Sequence, residues 1–336
     1  MSPFMRLLAL VFALGITAAK PETYPARPIR LIVPFAAGGT VDIIARILAT
    51  RVSAITGSNV VIDNRGGAGG IVGTQMTVQA PGDGYTLLVH SGSIAYDPSL
   101  HDKLPYDTVK DLAPVAMIGI TPNLLVVTPS FPARSAGDLI RMAREKPGVI
   151  TYATGGFGSS SHLAVALFSF LSGAKFTHVP YKGAGPALVD VVAGHVDFTV
   201  TTMPAAIQQV RSSSLRALGI SSLARSPELP EVPAVAETGL PGYEYIAWFG
   251  LFAPGTTRPE LVARISTLVR EAVDSPDTRD RLRLQGVVTQ NQSPAEFRAK
   301  VRAEIERWAP VIEKSGIKVR FERTQADFSR QTDDGS

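Results

Sequence analysis

The sequence predicts an α/β protein of two doubly wound lobes with a hinge and an interlobe cleft. Three observations predict it. Strand-like and helix-like patterns alternate along most of the 336 residues. Twice a β-rich run breaks into a glycine/serine loop and reopens as an apolar helix, at Ile29–Arg46 and at Ile150–Phe170. Two apolar stretches, Thr121–Thr128 and Tyr245–Ala253, are placed to carry the chain from one lobe to the other and back. The layout that follows is discontinuous: residues 24–123 plus 249–320 form lobe 1, and residues 124–248 form lobe 2.

The elements are justified in order. Ile29–Val33 reads as a strand, Thr40–Ala54 as a helix with apolar residues at 41, 43, 44, 47 and 48, and Val60–Asp63 as a second strand. The glycine-rich Arg65–Gly70 leads into a helix that runs through Gln79. Pro81–Gly84 is a turn and Tyr85–His90 a strand. This alternation predicts a mainly parallel sheet covered on both faces. Leu124–Thr128 is the next strand, and Ser135–Asp138 is a capping box, with Asp in place of Glu, opening a helix to Glu145. Strands follow near Ile150–Ala153, Phe176–Val179, Val196–Val200 and Leu215–Ser221, with helices between them. Ser226–Gly242, with prolines at 227, 230, 233 and 241, reads as an extended connector. Pro259, Pro276 and Pro294 sit at expected first helical positions, and Ser293–Glu296 is a full capping box. Pro310 should kink or end the last helix. Residues 322–336 form a polar tail that should fray.

Composition bounds the function. Hydrophobic residues make up 45% and charged residues 18%, which suits sizeable cores. The net charge is +4, without a block of like charges, so a nucleic-acid groove is not expected. Arg6 precedes the apolar run Leu7–Ile16, which is too short to span a bilayer, and Thr17-Ala18-Ala19 supplies small residues for cleavage. This reads as a signal peptide over residues 1–19, cut after Ala19, and places the mature chain in the periplasm. With no cysteine, an exported chain must be held by its core alone, which fits a large periplasmic protein.

The candidate site is built from loops rather than catalytic signatures. No Walker A loop, G-x-S-x-G or G-x-G-x-x-G run occurs, and His90, His101, His162, His178 and His195 form no zinc-binding spacing, so neither metal nor cofactor is expected. A strand feeding a glycine-rich loop at a helix N-terminus leaves backbone N–H groups free and presents the positive end of the helix dipole, which suits an anion. The first such loop is Phe35-Ala36-Ala37-Gly38-Gly39-Thr40. In it Gly39 is expected to lie against the ligand with φ above zero, and Asp42 to cap or brace the loop. The second runs from Thr154 and Gly155 through Gly158 to Ser159, Ser160, Ser161 and His162. Its serines should cap the helix and offer hydroxyls, while His162 either lines the site or braces the loop. Ser160 and His162 could alternatively be a nucleophile and base, although neighbours on one helical turn rarely reach that geometry. Val179–Ala184 and Thr201–Pro204 should face the same cleft, with Tyr181 and Thr202 as candidates and Lys182 as a possible anion partner. Ser91 is a further one.

Taken together, PIRLIVPFAAGGTVDIIAR, VVIDNRGGAGGIVGT, DGYTLL, GFGSSSHL, HVPYKGAGPAL, LRALGISSLARSPELPEVPAVAETGLPGYE and WFGLFAP, between Tyr24 and about Gly316, resemble the substrate-binding proteins of tripartite tricarboxylate transporters, the Bug-type periplasmic receptors. The resemblance implies two α/β lobes like those of type II periplasmic binding proteins. They would close on a small carboxylate held by the loops Pro34–Thr40 and Thr154–His162 through backbone groups and bridging waters. The family's asparagine–arginine–proline–glycine run has Gly66 at its third position here, which makes Asn64–Gly70 more flexible, and Gln208–Ser214 lacks the usual Lys-Gly-like turn.

The reading is a monomeric, non-catalytic receptor that captures a small organic acid and presents it to membrane transporter subunits. A hydrolase or isomerase using Ser160 and His162 is the alternative, and a ligand-dependent partner of a membrane kinase is a third.

Overall fold

The structure, a computed structural model, describes residues 24–315. The signal peptide expected over residues 1–19 and the polar tail expected over residues 322–336 lie outside the described residues. Ten strands are described: β1 (Ile29–Val33), β2 (Val60–Asn64), β3 (Thr86–Ser91), β4 (Leu112–Val127), β5 (Thr151–Thr154), β6 (Thr177–Pro180), β7 (Phe198–Thr202), β8 (Arg216–Ile220), β9 (Ile246–Pro254) and β10 (Val288–Thr289). The helices are α1 (Thr40–Thr56), α2 (Ile71–Val78), α3 (Asp97–Leu100), α4 (Ala136–Glu145), α5 (Ser160–Ser172), α6 (Ala184–Val192), α7 (Met203–Arg211), α8 (Val235–Thr238), α9 (Pro259–Asp274), α10 (Pro276–Leu284) and α11 (Pro294–Ser315).

The fold is mixed α/β, and β4 is its backbone. The strands run in the order β2-β1-β3-β9-β4-β7-β5-β6, and β10 and β8 also pair with β4. From Leu112 to Pro122, β4 lies antiparallel to β9. From Asn123 to Val127 it lies antiparallel to β7 and β8 instead. One strand therefore joins two sheet regions. The expected mainly parallel sheet is corrected to a mixed one. The pairs β1–β2, β1–β3, β5–β6 and β5–β7 are parallel, as helical crossovers require. The pairs made by β4 and β9 are antiparallel, because one strand carries the chain out and the other carries it back. The expected strand Leu124–Thr128 is only the end of β4, whose earlier residues are almost all buried and show no alternation.

Local chemistry sets the helix ends. Pro259, Pro276 and Pro294 each open a helix, where a missing N–H costs nothing. The Ser293 hydroxyl accepts from the Glu296 N–H at 3.3 Å, and the Glu296 carboxylate accepts from the Ser293 N–H at 2.8 Å, a reciprocal box. At α4 the Ser135 hydroxyl caps the Asp138 N–H at 3.0 Å, but the shorter Asp138 side chain takes the Arg134 N–H, one residue before the cap. Pro310 does not end α11, which continues to Ser315 with Trp308 and Ile312 buried on either side of it. Packing of that face outweighs one missing backbone bond. The proline-rich connector is interrupted by α8 and by a bridge between Ala234 and Ile220.

The two faces of β4 feed two cores. Leu125 and Val127 join the main cluster with Ile32, Leu88, Trp248, Phe249 and Phe252. Leu124 and Val126 join a second with Leu188, Val191, Met203 and Ile207. Full burial of each such side chain contributes roughly 1.5–3 kcal/mol, so the strand joining the two sheet regions is anchored on both sides.

Candidate functional site

Each strand that precedes a site loop ends at the same place. The loop after β1 enters α1, and the N-cap Gly39 has no side chain to satisfy the first N–H groups of the helix. After β5, Ser159 caps α5 by accepting from the His162 N–H at 3.4 Å. After β6, the side-chain-free Gly183 starts α6. After β7, Thr202 starts α7 and makes no side-chain cap bond. Thr40 and Val41, Ser160 and Ser161, Ala184 and Thr202, from these four N-termini, line one small cavity of about 50 Å³. Phe35, Gly39, Ser91, Gly155, Ser159, Thr201 and Phe249 complete its wall.

No charged side chain lines this cavity. Its field comes from helix ends, each equivalent to a fraction of a positive charge. Its hydroxyls come from Thr40, Ser91, Ser159, Ser160, Ser161, Thr201 and Thr202, and its apolar wall from Phe35, Val41, Ala184 and Phe249. Such a surface can replace the water around a carboxylate without a salt bridge.

The first loop is braced as expected. The Asp42 carboxylate accepts from the Gly38 N–H at 3.0 Å, from Arg46 Nε at 2.9 Å and from Asn64 Nδ2 at 3.0 Å. Burial opposes its ionisation, but the Arg46, Gly38 and Asn64 donors outweigh it and hold the carboxyl below the usual carboxylate range. The expected left-handed residue is Gly38, at φ +81°, and not Gly39, which is extended at φ −84°. Gly39 serves as the helix cap, and a cap residue takes β-region geometry. A tighter approach lies at Gly185, where a β-carbon would stand 2.5 Å from the Ala37 carbonyl oxygen.

The loops of the two sheet regions touch. The Thr40 and Thr202 hydroxyls are hydrogen-bonded to each other. The Ala36 N–H donates to the Lys182 carbonyl at 3.0 Å. Ser160 Oγ meets the Tyr245 hydroxyl at 3.1 Å, which meets the Tyr96 hydroxyl at 3.1 Å. Ser159 Oγ donates to the Gly156 carbonyl at 2.7 Å, and Ser161 Oγ accepts from the Gly155 N–H at 3.0 Å.

Of the residues expected from sequence, the cavity brings together Phe35, Gly39, Thr40, Ser91, Gly155, Ser159, Ser160, Ser161 and Thr202. Ala36, Ala37, Gly38, Thr154, Gly158, His162 and Tyr181 are not in its wall. Ala36 and Gly38 hold the loop through backbone bonds. Thr154 Oγ1 is bonded to His178 Nε2 at 2.6 Å. His162 braces: its Nδ1 accepts from the Gly158 N–H at 3.2 Å, and its ring stacks on His178 at 4.5 Å. Burial lowers the pKa of His162 to about 4, so the ring is neutral near pH 7. With Nδ1 occupied and Ser160 directed to Tyr245, the two do not form a nucleophile–base pair. Tyr181 instead donates its hydroxyl to Asp190 at 2.5 Å and lines a neighbouring chamber of about 280 Å³ with Gly67–Gly70, His101, Phe157 and Lys182.

Ala184 and Thr201 belong to the two loops expected to face the cleft, whereas Val41 and Phe249 are not among the residues that the sequence points to. Val41 lies next to the first loop. Phe249 lies in β9, and only the strand order brings it to the cavity.

The model of the family described as "Tripartite tricarboxylate transporter family receptor" matches residues 44–317. The chain is 39% identical to Protein BugT of Bordetella pertussis (strain Tohama I), over 94% of this chain and 99% of that one. It is 38% identical to a protein encoded in the tcbD-tcbE intergenic region of Pseudomonas sp. (strain P51), over 91% of each. Among solved structures, a protein of R. palustris with adipate has a TM-score of 0.84 at 37% identity, covering 88% of this chain and 99% of that one. MatC from Rhodopseudomonas palustris with bound malate has a TM-score of 0.81 at 33% identity, covering 86% and 100%. The periplasmic binding protein BugD has a TM-score of 0.85 at 30% identity, covering 88% and 100%.

Proposed function

We infer the function of this protein from one premise: the chain belongs to the tripartite tricarboxylate transporter receptor family. It is a receptor that captures a small organic carboxylate in the periplasm and delivers it to the membrane subunits of a tripartite transporter. The observation that carries this reading is the convergence of four helix N-termini on one cavity without a charged side chain. That arrangement attracts an anion and holds it reversibly. Relatives solved with adipate and malate support the ligand class.

In this reading residues 24–123 and 249–320 form one lobe, residues 124–248 form the other, and the cavity lies in the cleft between them. The hinge is where β4 changes partners, between Pro122 and Asn123, and where the chain returns before β9. Closure would bring the α1 and α5 N-termini onto one ligand. The ligand set is Phe35–Thr40, Ser91, Thr154, Gly155, Gly158–His162, Tyr181 and Thr202. Those lining the cavity touch the acid, and the others hold the loops or wall the adjoining chamber. The receptor works as a monomer, and its signal peptide is removed after Ala19. Among the described residues no helix is long and apolar enough to cross a membrane.

A thermal-shift screen of di- and tricarboxylates, amino acids and aromatic acids tests the reading. At least one carboxylate should raise the melting temperature, with no turnover of the ligand. A panel without any stabilising acid, or hydrolysis or isomerisation of a bound acid, would contradict it. Intact mass of the exported chain should show a start at Lys20.

A further inference from the structure

Three hydroxyls form a chain that starts at the cavity and runs back into the protein. Ser160, the first residue of α5, lines the cavity wall. Its Oγ lies 3.1 Å from the Tyr245 hydroxyl, and that oxygen lies 3.1 Å from the Tyr96 hydroxyl. Neither tyrosine lines the cavity. Tyr245 stands one residue before β9 and Tyr96 one residue before α3. Both are almost fully buried, and both rings pack on Trp308, with centroids 4.9 Å away for Tyr96 and 5.7 Å for Tyr245. Neither phenol has a further hydrogen-bond partner among the described residues. Each of the three hydroxyls carries one hydrogen. Two bonds use two of them, and one hydrogen is left over. On either tyrosine it would be a buried donor without an acceptor, which is costly. On Ser160 it opens on the cavity, where a bound molecule can accept it. The chain therefore runs one way: Tyr96 donates to Tyr245, and Tyr245 donates to Ser160.

We propose that Tyr245 and Tyr96 are positioning residues that fix Ser160 as a hydrogen-bond donor to the bound acid, so that the site requires an oxygen without a hydrogen, as in an ionised carboxylate, at that point. This rests on the carboxylate reading above. Donation from Tyr245 occupies a lone pair of Ser160, keeps the Ser160 hydrogen from turning back into the protein, and polarises its O–H bond. Tyr96 does the same for Tyr245, one step further from the cavity. Tyr245 does not touch the acid, so its effect passes through Ser160. Without the Tyr245 hydroxyl, Ser160 loses both its aim and its polarisation.

The test titrates the full-length mature protein calorimetrically with succinate, malate, adipate, citrate and benzoate, and follows whichever the wild type binds most tightly through a set of variants. Tyr245→Phe keeps the ring against Trp308 and removes only the hydroxyl. It should weaken binding about tenfold, the order expected of one hydrogen bond to a charged group. Ser160→Ala should weaken it at least as much. In the Ser160→Ala background, Tyr245→Phe should lower affinity about twofold or less, because the residue it acts through is gone. Tyr96→Phe should weaken binding about threefold in wild type and leave it unchanged in Tyr245→Phe. Binding should also perturb the tyrosine ultraviolet absorbance of the wild type, and that difference spectrum should shrink in Ser160→Ala. A merely structural role for Tyr245 would lower affinity equally with and without the Ser160 hydroxyl and would leave the difference spectrum of Ser160→Ala at wild-type size. The proposal is overturned by either of those results, or by wild-type affinity in Tyr245→Phe, while the carboxylate reading stands. If none of the five acids binds the wild type, both fall.

Discussion

Thr40 and Thr202, 162 residues apart, share a hydrogen bond between their side-chain hydroxyls at the mouths of α1 and α7. One follows β1 and the other follows β7, so the bond ties the two sheet regions at the cavity. It also accounts for the absent side-chain cap of α7, because the Thr202 hydroxyl is directed across the cleft and not to its own helix.

Thr40→Val or Thr202→Val should therefore weaken the closed arrangement more than either lobe. A net hydrogen bond contributes about 1 kcal/mol, so ligand affinity should fall roughly fivefold. Solution scattering should show a larger radius of gyration for the unliganded variant than for wild type, with the melting temperature nearly unchanged. Wild-type dimensions and affinity would show that the bond carries nothing.

Gly185→Ala should be more severe than Gly39→Ala. The new β-carbon at Gly185 would stand 2.5 Å from the Ala37 carbonyl, a contact between two fixed backbones. At Gly39 the nearest atom would be the Ala184 β-carbon, at an ordinary 3.6 Å, and φ is already negative. Calorimetry should find ligand binding lost in Gly185→Ala and reduced only a few-fold in Gly39→Ala. The reverse ranking would mean that the lobes close along a different line.

Acid should loosen the second loop. Burial lowers the pKa of His162 to about 4, and burial together with the nearby His162 lowers His178 to about 3, against 6.5 for a free imidazole. Between those values the unfolded chain binds more protons than the folded one. Stability is thus fully present above about pH 6.5 and falls as the pH drops towards 4. His178→Gln, which keeps a hydrogen-bonding group for Thr154, should flatten that slope in urea titrations. An unchanged slope would place its origin elsewhere.

Asp97 should act in the opposite direction. It is buried, and burial raises its pKa to about 8, with the Tyr106 hydroxyl at 2.9 Å only partly offsetting the effect. Its folded pKa lies above the unfolded 3.8. The folded state holds the proton more strongly across that window, so stability is lost as pH rises through about 8. Asp97→Asn keeps an acceptor for Tyr106 and removes the ionisation. Relative to its value below about pH 3.8, the variant should gain on wild type progressively up to about pH 8 and keep that gain above it. Equal pH profiles would rule out a titrating Asp97.

How far the sequence could be read follows from what each feature depends on. The Ser293–Glu296 box, the three helix-opening prolines and the bracing role of Asp42 depend on residues a few positions apart, and they were legible. So were both glycine/serine loops, because strand, loop and helix follow one another in sequence. Phe249 was not legible as a wall residue, because it reaches the cavity only through the antiparallel pairing of β9 with β3 and β4. The first part of β4 was missed because a strand buried on both faces loses its alternation. The role of His162, on α5, is open in the sequence because it depends on a stacking partner, His178, in β6. The α6 and α7 N-termini were seen as loops at strand ends. Their convergence with α1 and α5 follows from strand order, which local pattern does not encode.

The central claim is that uncharged helix ends and hydroxyls hold a carboxylate. The most direct measurement is the calorimetric affinity of the best-bound acid beside that of its amide with the same carbon skeleton. Hydrogen bonds to a charged group contribute roughly 1.5–3 kcal/mol each, and the amide N–H groups would face N–H donors. The account predicts that the amide binds at least about a hundredfold more weakly. Equal affinity for acid and amide would contradict it.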